Sequence, residues 1–313
     1  MERAVSLEVE MAGLRLKNPV MTASGTCGYG TEFRRVYDVS RLGAVVTKAI
    51  TAKPRPGNPA PRLVERPAAM LSSCGLQNVG IDAFIRDKMP LIRDIGTTVI
   101  ANIAGETLGE FQLLAARLDD CPAIAALELN LSCPNVKTGG MAFGVDPAAV
   151  EGITRAVKNV TTKPVISKLS PNVTDIVAVA RAAEAGGADA VSLINGLLGM
   201  AIDVRTRQPS LANVMGGLTG PAIRPIAVRM VWQVANSVRI PVIGMGGISC
   251  AEDALEFLLA GATAVEIGTA NLVSPGTPLR VIEGIRLYLE DNGFNSVSRL
   301  RDVLGAPPQY ELL

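Results

Sequence analysis

Cys133 sits in the run N-L-S-C-P-N (130–135), a thiol flanked by amide and hydroxyl side chains instead of apolar ones. A free thiol has a pKa of about 8.5, and lysines or backbone donors nearby lower it, so a cysteine in such a setting suits proton transfer. The chain contains no histidine. Every Ser-His-Asp or Cys-His arrangement within it is therefore excluded, as is every histidine-based metal site. Acid–base work falls to Cys, Lys, Asp, Glu, Tyr, Ser or Thr. Cys121 and Cys250 read as packing residues, while Cys27 and Cys74 either line a site or pack. Lys168 ends the apolar run P-V-I-S-K-L (164–169). A lysine there can form a Schiff base or hold a fixed positive charge.

These residues recur at one kind of place. Short β-branched apolar runs predict core strands near 19–23, 44–48, 98–103, 125–131, 164–169, 188–194, 241–245 and 263–268. Runs of this kind suit strands buried on both faces. Helices fit between them near 82–94, 106–118, 147–160, 174–185, 222–237, 251–260 and 276–290. Asp146-Pro147 spells an N-cap with a first-turn proline, and Ser249 opens a capping-box spelling, S-C-A-E. Strands alternating with helices in this way predict an α/β chain folded as a (β/α)8 TIM barrel, over residues 1–313 as one domain.

Three segments exceed the repeating unit. Residues 5–17 alternate like a hairpin and are expected at the barrel floor, and 51–81 and 196–221 are long excursions from strand carboxyl ends, expected to form a lid or substrate wall. The residues just after the strands assemble the mouth of such a barrel. In order they are Ser24-Gly25, Lys48, Asn102, Asn130 with Cys133, Lys168, Asn195, Gly246-Gly247 and Gly268-Thr269. The last two turns are glycine-rich, which lets backbone N–H groups approach a phosphate. They do not spell the dinucleotide fingerprint, so no Rossmann-type NAD site is expected.

Composition narrows the partners. Formal net charge is +1, against a nucleic-acid surface or basic membrane patch. No apolar run reaches membrane-spanning length and the start carries Glu2, Glu8 and Glu10, so a cytoplasmic protein without membrane attachment is expected. The five cysteines are scattered without a C-x-x-C, which fits neither a disulfide framework nor a zinc or iron–sulfur site.

Longer motifs carry a family likeness. N-L-S-C-P-N-V-K-x-G-G-M-A-F-G (130–144), K-A-I-T-x-K-P-R-x-G-N-P-x-P-R (48–62), G-L-Q-N (75–78), G-M-A-I-D (199–203), G-G-L-T-G-P-A-I (216–223) and P-V-I-G-M-G-G-I (241–248) together resemble dihydroorotate dehydrogenase, class 1B catalytic subunit. The resemblance implies an FMN enzyme that oxidises (S)-dihydroorotate to orotate in pyrimidine biosynthesis. Hydride would pass from C6 to flavin N5 and the C5 proton to Cys133, with Lys168 beside the flavin. It implies cofactor contacts at Ser24, Gly25, Lys48, Asn102, Asn130, Lys168, Ile194, Gly220, Gly246, Gly247, Gly268 and Thr269. Substrate contacts fall on Lys48, Ser72, Gly75, Leu76, Asn130, Asn195 and Gly196. It further implies a partner subunit with FAD and an iron–sulfur cluster that reduces NAD, and a homodimer of catalytic chains within a heterotetramer.

The likeness departs at three places. M-L-S-S-C-G-L-Q-N (70–78) has Ser72 where the family has asparagine. I-N-G-L-L-G-M (194–200) has Gly196 for threonine, and S-G-T-C-G-Y-G (24–30) has Cys27 for phenylalanine. Lost hydrogen bonds in a desolvated site cost about 1–3 kcal/mol each. The alternative is a paralogous FMN oxidoreductase for a different dihydropyrimidine-like or larger ring. A non-catalytic flavin-binding barrel is a third reading, opposed by the retained Cys133 and Lys168.

Overall fold

The computed structural model describes residues 5–131 and 141–304; Cys133 lies outside them. Strands β1 (Val9–Met11) and β2 (Leu14–Leu16) pair antiparallel with Met11 opposite Leu14. Their two-residue turn, Ala12-Gly13, takes positive φ at both positions, as a tight hairpin matched to strand twist demands. Met11 and Leu16 are fully buried, so the hairpin closes the amino-terminal end of the core, as the alternation predicts.

Eight parallel strands close the barrel: β3 (Val20–Thr22), β4 (Ala44–Val46), β7 (Thr98–Ile103), β8 (Ala126–Asn130), β9 (Val165–Lys168), β10 (Ala190–Leu193), β15 (Val242–Met245) and β16 (Ala264–Ile267). β16 returns to β3, with Glu266 opposite Met21. Nearly every residue of these strands is buried, because helices cover the outside and side chains fill the inside.

The excursions fold into strands of their own. β5 (Leu63–Arg66) and β6 (Ala69–Ser72) come from the first; β11 (Leu197–Met200), β12 (Ile202–Asp203), β13 (Gln208–Pro209) and β14 (Met215–Thr219) come from the second. The sequence shows them as two separate loops. The structure joins them into one four-stranded antiparallel sheet, β11-β14-β6-β5, with Ser72 opposite Gly217. Pairing satisfies edge groups that either hairpin alone would leave open.

The caps follow the spelling in one case and shift in the other. Asp146 accepts a hydrogen bond from the Ala148 N–H at 3.0 Å, ahead of Pro147. At the helix Ala251–Leu259 the box lies one residue later than expected: Cys250 is the N-cap and Asp253, not Glu252, closes it. Asp253 Oδ2 accepts from Ser249 N, Ser249 Oγ and Cys250 N at 2.8, 2.7 and 3.2 Å. The Arg224 guanidinium pairs with the same carboxylate, which draws Asp253 inward where Glu252 does not reach.

Candidate active site

A cavity of about 480 Å³ opens at the carboxyl ends of the strands. Ten of the expected site residues line it: Ser24 after β3, Lys168 at the end of β9, Ile194, Asn195 and Gly196 after β10, Gly220 after β14, Gly246 and Gly247 after β15, and Gly268 and Thr269 after β16. That size and this place suit a small-molecule ligand.

The others stand around it. Gly25 lies next to Ser24, and a Cβ there would come 3.3 Å from Lys48 Nζ, so the half-buried Lys48 reaches the same corner. Asn130 stands opposite Lys168 in the β8–β9 register, with its Oδ1 buried and unpartnered among the described residues. Asn102 lies fully buried one strand further round; its Nδ2 donates to Glu128 Oε1 at 2.6 Å and its Oδ1 also lacks a partner. Ser72 is on β6, whose neighbouring residues Ala69 and Met70 line the cavity, and its Oγ lies 3.7 Å from Cys74 Sγ. Gly75 and Leu76 are buried off the cavity wall, Leu76 packing with Ala49 and Ala104.

Glycine is required where the turns after β14 and β15 meet. Gly247 has φ +87°, and a Cβ there would sit 3.0 Å from both the Arg224 nitrogen and the Gly220 carbonyl oxygen. The turns after β14 and β15 can approach this closely only without side chains. Thr269 Oγ1 and Thr219 Oγ1, 2.9 Å apart, tie the turn after β16 to the excursion sheet.

Lys168 is 5% exposed and its ammonium lies 3.8 Å from Glu128 Oε1. Glu128 Oε2 accepts from Ser192 Oγ at 2.8 Å. β8 and β10 are not adjacent, so this bond crosses the barrel interior. An ammonium held by a carboxylate at the floor of the cavity supplies a fixed positive charge.

One cysteine reading is settled and another changes. Cys27 is fully buried, with Sγ 3.8 Å from the Tyr37 hydroxyl, and lies off the cavity wall. Burial pushes its thiol up, which suits packing and not chemistry. Cys250, read as a packed residue, is exposed at its helix start.

Sequence reasoning passed over Arg280, Thr277 and Ser274, which line the cavity near Thr269. Arg280 Nη2 donates to Ser274 Oγ and Thr277 Oγ1, both at 2.9 Å. The signal was there: an arginine in the first turn of the helix that follows the last strand, in S-P-G-T-P-L-R (274–280). It also passed over Glu128 and Glu266, each an acid in the middle of an apolar strand run.

A closed parallel barrel with a glycine-turned cavity and a buried ion pair at its carboxyl ends defines an enzyme of the (β/α)8 class. The profile of the dihydroorotate dehydrogenase family matches residues 6–289. The chain belongs to that family, and is an oxidoreductase acting on a CH–CH group. Dihydroorotate dehydrogenase B (NAD(+)), catalytic subunit, of Geotalea uraniireducens (strain Rf4) is 56% identical over 94% of this chain and 96% of its own length. The protein of the same name from Geobacter sulfurreducens (strain ATCC 51573 / DSM 12127 / PCA) is 56% identical over 96% of this chain and 97% of its own. The structure of DHODH from Eimeria tenella in complex with ferulenol superposes with TM-score 0.81 at 22% identity, covering 97% of this chain and 89% of that one. At that identity it shows the fold alone.

Proposed function

We propose that this chain, as one FMN-binding domain, oxidises (S)-dihydroorotate to orotate in pyrimidine biosynthesis, in the cytoplasm. The observation that carries this reading is the meeting of ten separately spaced residues on one cavity, in a chain more than half identical to catalytic subunits of that name. The residues present fit FMN. Gly246, Gly247, Gly268 and Thr269 form a side-chain-poor cradle for its phosphate, with Arg280 nearby. The Asn102 and Asn130 side-chain oxygens, without partners among the described residues, are amide groups suited to the polar edge of the ring. FMN, when bound, accepts the hydride from substrate C6.

The chain's residues do the rest. Cys133 takes the C5 proton, a job for a positioned weak base because that proton lies α to a carbonyl. Lys168 holds positive charge at the cavity floor. Lys48, Ser72, Gly75, Leu76, Asn130, Asn195 and Gly196 form the substrate end. Electrons leave to a partner subunit carrying FAD and an iron–sulfur cluster, and from there to NAD, within a heterotetramer built on two catalytic chains. Among the described residues no helix is long and apolar enough to cross a membrane.

Anaerobic titration of the purified chain tests the substrate. One equivalent of (S)-dihydroorotate is expected to bleach the flavin absorbance. Bleaching by dihydrouracil or a substituted ring, with none by dihydroorotate, would establish the paralogue instead.

Gly196 gives that alternative less room than its size suggests. A Cβ at 196 would lie 2.9 Å from Gly217 Cα and 3.2 Å from the Leu218 carbonyl oxygen, so the backbone of β14 fills the space a side chain would take. Gly196→Thr is therefore expected to destabilise the chain by about 1–3 kcal/mol in urea unfolding through overpacking. Unchanged stability would mean that β14 yields. Ser72→Asn alone then tests the substrate end.

A further inference from the structure

Five polar side chains form a layer across the barrel just under the cavity. They are Asn102 on β7, Glu128 on β8, Lys168 on β9, Ser192 on β10 and Glu266 on β16. The registers place Asn102 opposite Glu128, Ser192 opposite Lys168, and Met245 opposite Glu266. Residues opposite one another in a parallel pair share a face. The titratable members are Glu128, Lys168 and Glu266; β3 contributes Met21, β4 only Ala44, Val45 and Val46, and β15 Met245.

The two carboxyls are treated very differently. Glu128 is provisioned as an anion: Asn102 and Ser192 donate to its two oxygens, at 2.6 and 2.8 Å, and Lys168 stands 3.8 Å away. Glu266 is 1% exposed, and neither of its oxygens meets a donor group among the described residues; the side chain within hydrogen-bonding reach is the Glu128 carboxyl itself. An ionised Glu266 would be an unsolvated anion beside a second anion, with one ammonium between the two. Such an arrangement is costly in a dry interior, and a proton is what removes the cost.

We propose that Glu266 is a proton-holding positioning residue: it and Glu128 keep one proton between them, so that the pair carries a single negative charge matched to Lys168 and holds that ammonium at the cavity floor. Burial and the like charge of Glu128 push Glu266 well above the ordinary carboxyl range, against the pull of Lys168. The consequence for chemistry rests on the flavin reading above. The charge under the cavity stays constant while Glu266 keeps its proton. When that proton is lost as pH rises through the raised pKa, a second negative charge appears below the ring and opposes the arrival of electrons.

The sign for stability follows from proton counting. Unfolded, Glu266 ionises in the ordinary carboxyl range; folded, it stays protonated above it. The folded state then binds more protons, so stability falls as pH rises from that range through the raised pKa, and levels off beyond it.

The test uses the full chain as purified and its Glu266→Gln and Glu128→Gln variants. Infrared difference spectra at neutral pH are expected to show a protonated-carboxyl C=O band in the wild type that Glu266→Gln loses. Glu128→Gln should lose it too, because Glu266 then becomes the sole counter-ion of Lys168. The fall of the wild-type melting temperature with rising pH should flatten in Glu266→Gln. The flavin midpoint potential should drop more steeply at alkaline pH in the wild type than in that variant. A wild-type spectrum without the band, or one that Glu266→Gln leaves unchanged, overturns the proposal. If Glu266→Gln does not fold, the wild-type band, its loss on alkalinisation and the Glu128→Gln spectrum still decide it. The infrared and melting readouts do not depend on flavin. A colourless chain with the band would defeat the flavin reading alone, and a yellow chain without it would defeat the proton assignment alone.

Discussion

Lys168→Ala is expected to unfold about 3–5 kcal/mol more readily than the wild type, because it strands a buried charge. Glu128 is completely buried, and Lys168 is the ammonium that faces it, at 3.8 Å. Asn102 and Ser192 would still donate to it, but neither carries charge. Glu266 in the same layer, holding its proton, supplies no cation to replace the lost ammonium. The measurement is urea unfolding of the two chains at neutral pH. A double variant, Lys168→Ala with Glu128→Gln, is expected to recover much of the loss, since both members of the pair are then gone. A single variant within about 1 kcal/mol of the wild type, the range of an exposed pair, would mean that water reaches Glu128 and that the layer is not a closed electrostatic unit.

Cys133→Ser is expected to slow flavin reduction by dihydroorotate about 10²–10⁴-fold near neutral pH, the usual contribution of a positioned acid–base group. Flavin content should not change, since Cys133 is not among the expected FMN contacts. The reasoning is by chemistry and elimination. A proton must leave a carbon next to a carbonyl, the chain has no histidine, and Cys133 is the thiol that follows a barrel strand in a polar run. Serine keeps the shape and a hydroxyl but ionises far less readily than a thiol. Anaerobic stopped-flow reduction of the bound flavin measures the step without the partner subunit. A rate within a few-fold of the wild type would assign the proton to another group, with Lys48 next in line because its ammonium stands beside Gly25, next to the cavity-lining Ser24.

Much of the candidate site was legible along the chain because a parallel barrel turns sequence position into spatial position. Each strand delivers its last residues to one rim, so the order of the chain alone groups Ser24, Lys168, Asn195, Gly246 and Thr269. They do line one cavity. Gly75 and Leu76 were grouped with them through the family likeness alone, and they lie off its wall. The long-range partners were not legible. Nothing in 51–81 or 196–221 spells out that β6 pairs with β14, because β pairing between distant segments depends on register and leaves no local pattern. Gly196 illustrates the cost: read as a lost threonine it suggested a wider pocket, whereas the neighbouring strand supplies the reason for its size.

By itself, then, the order of residues determined the eightfold alternation, the rim that carries the chemistry, the absence of histidine and with it the narrow choice of base. Only the tertiary structure decided how the acids are paired. Glu128 and Glu266 look alike in the chain, each a single acid inside an apolar strand. Across the closed barrel one receives two hydrogen bonds and an ammonium, and the other meets no donor group among the described residues. Charge in a dry interior is set by what stands within a few ångströms, and those neighbours come from strands far apart in sequence.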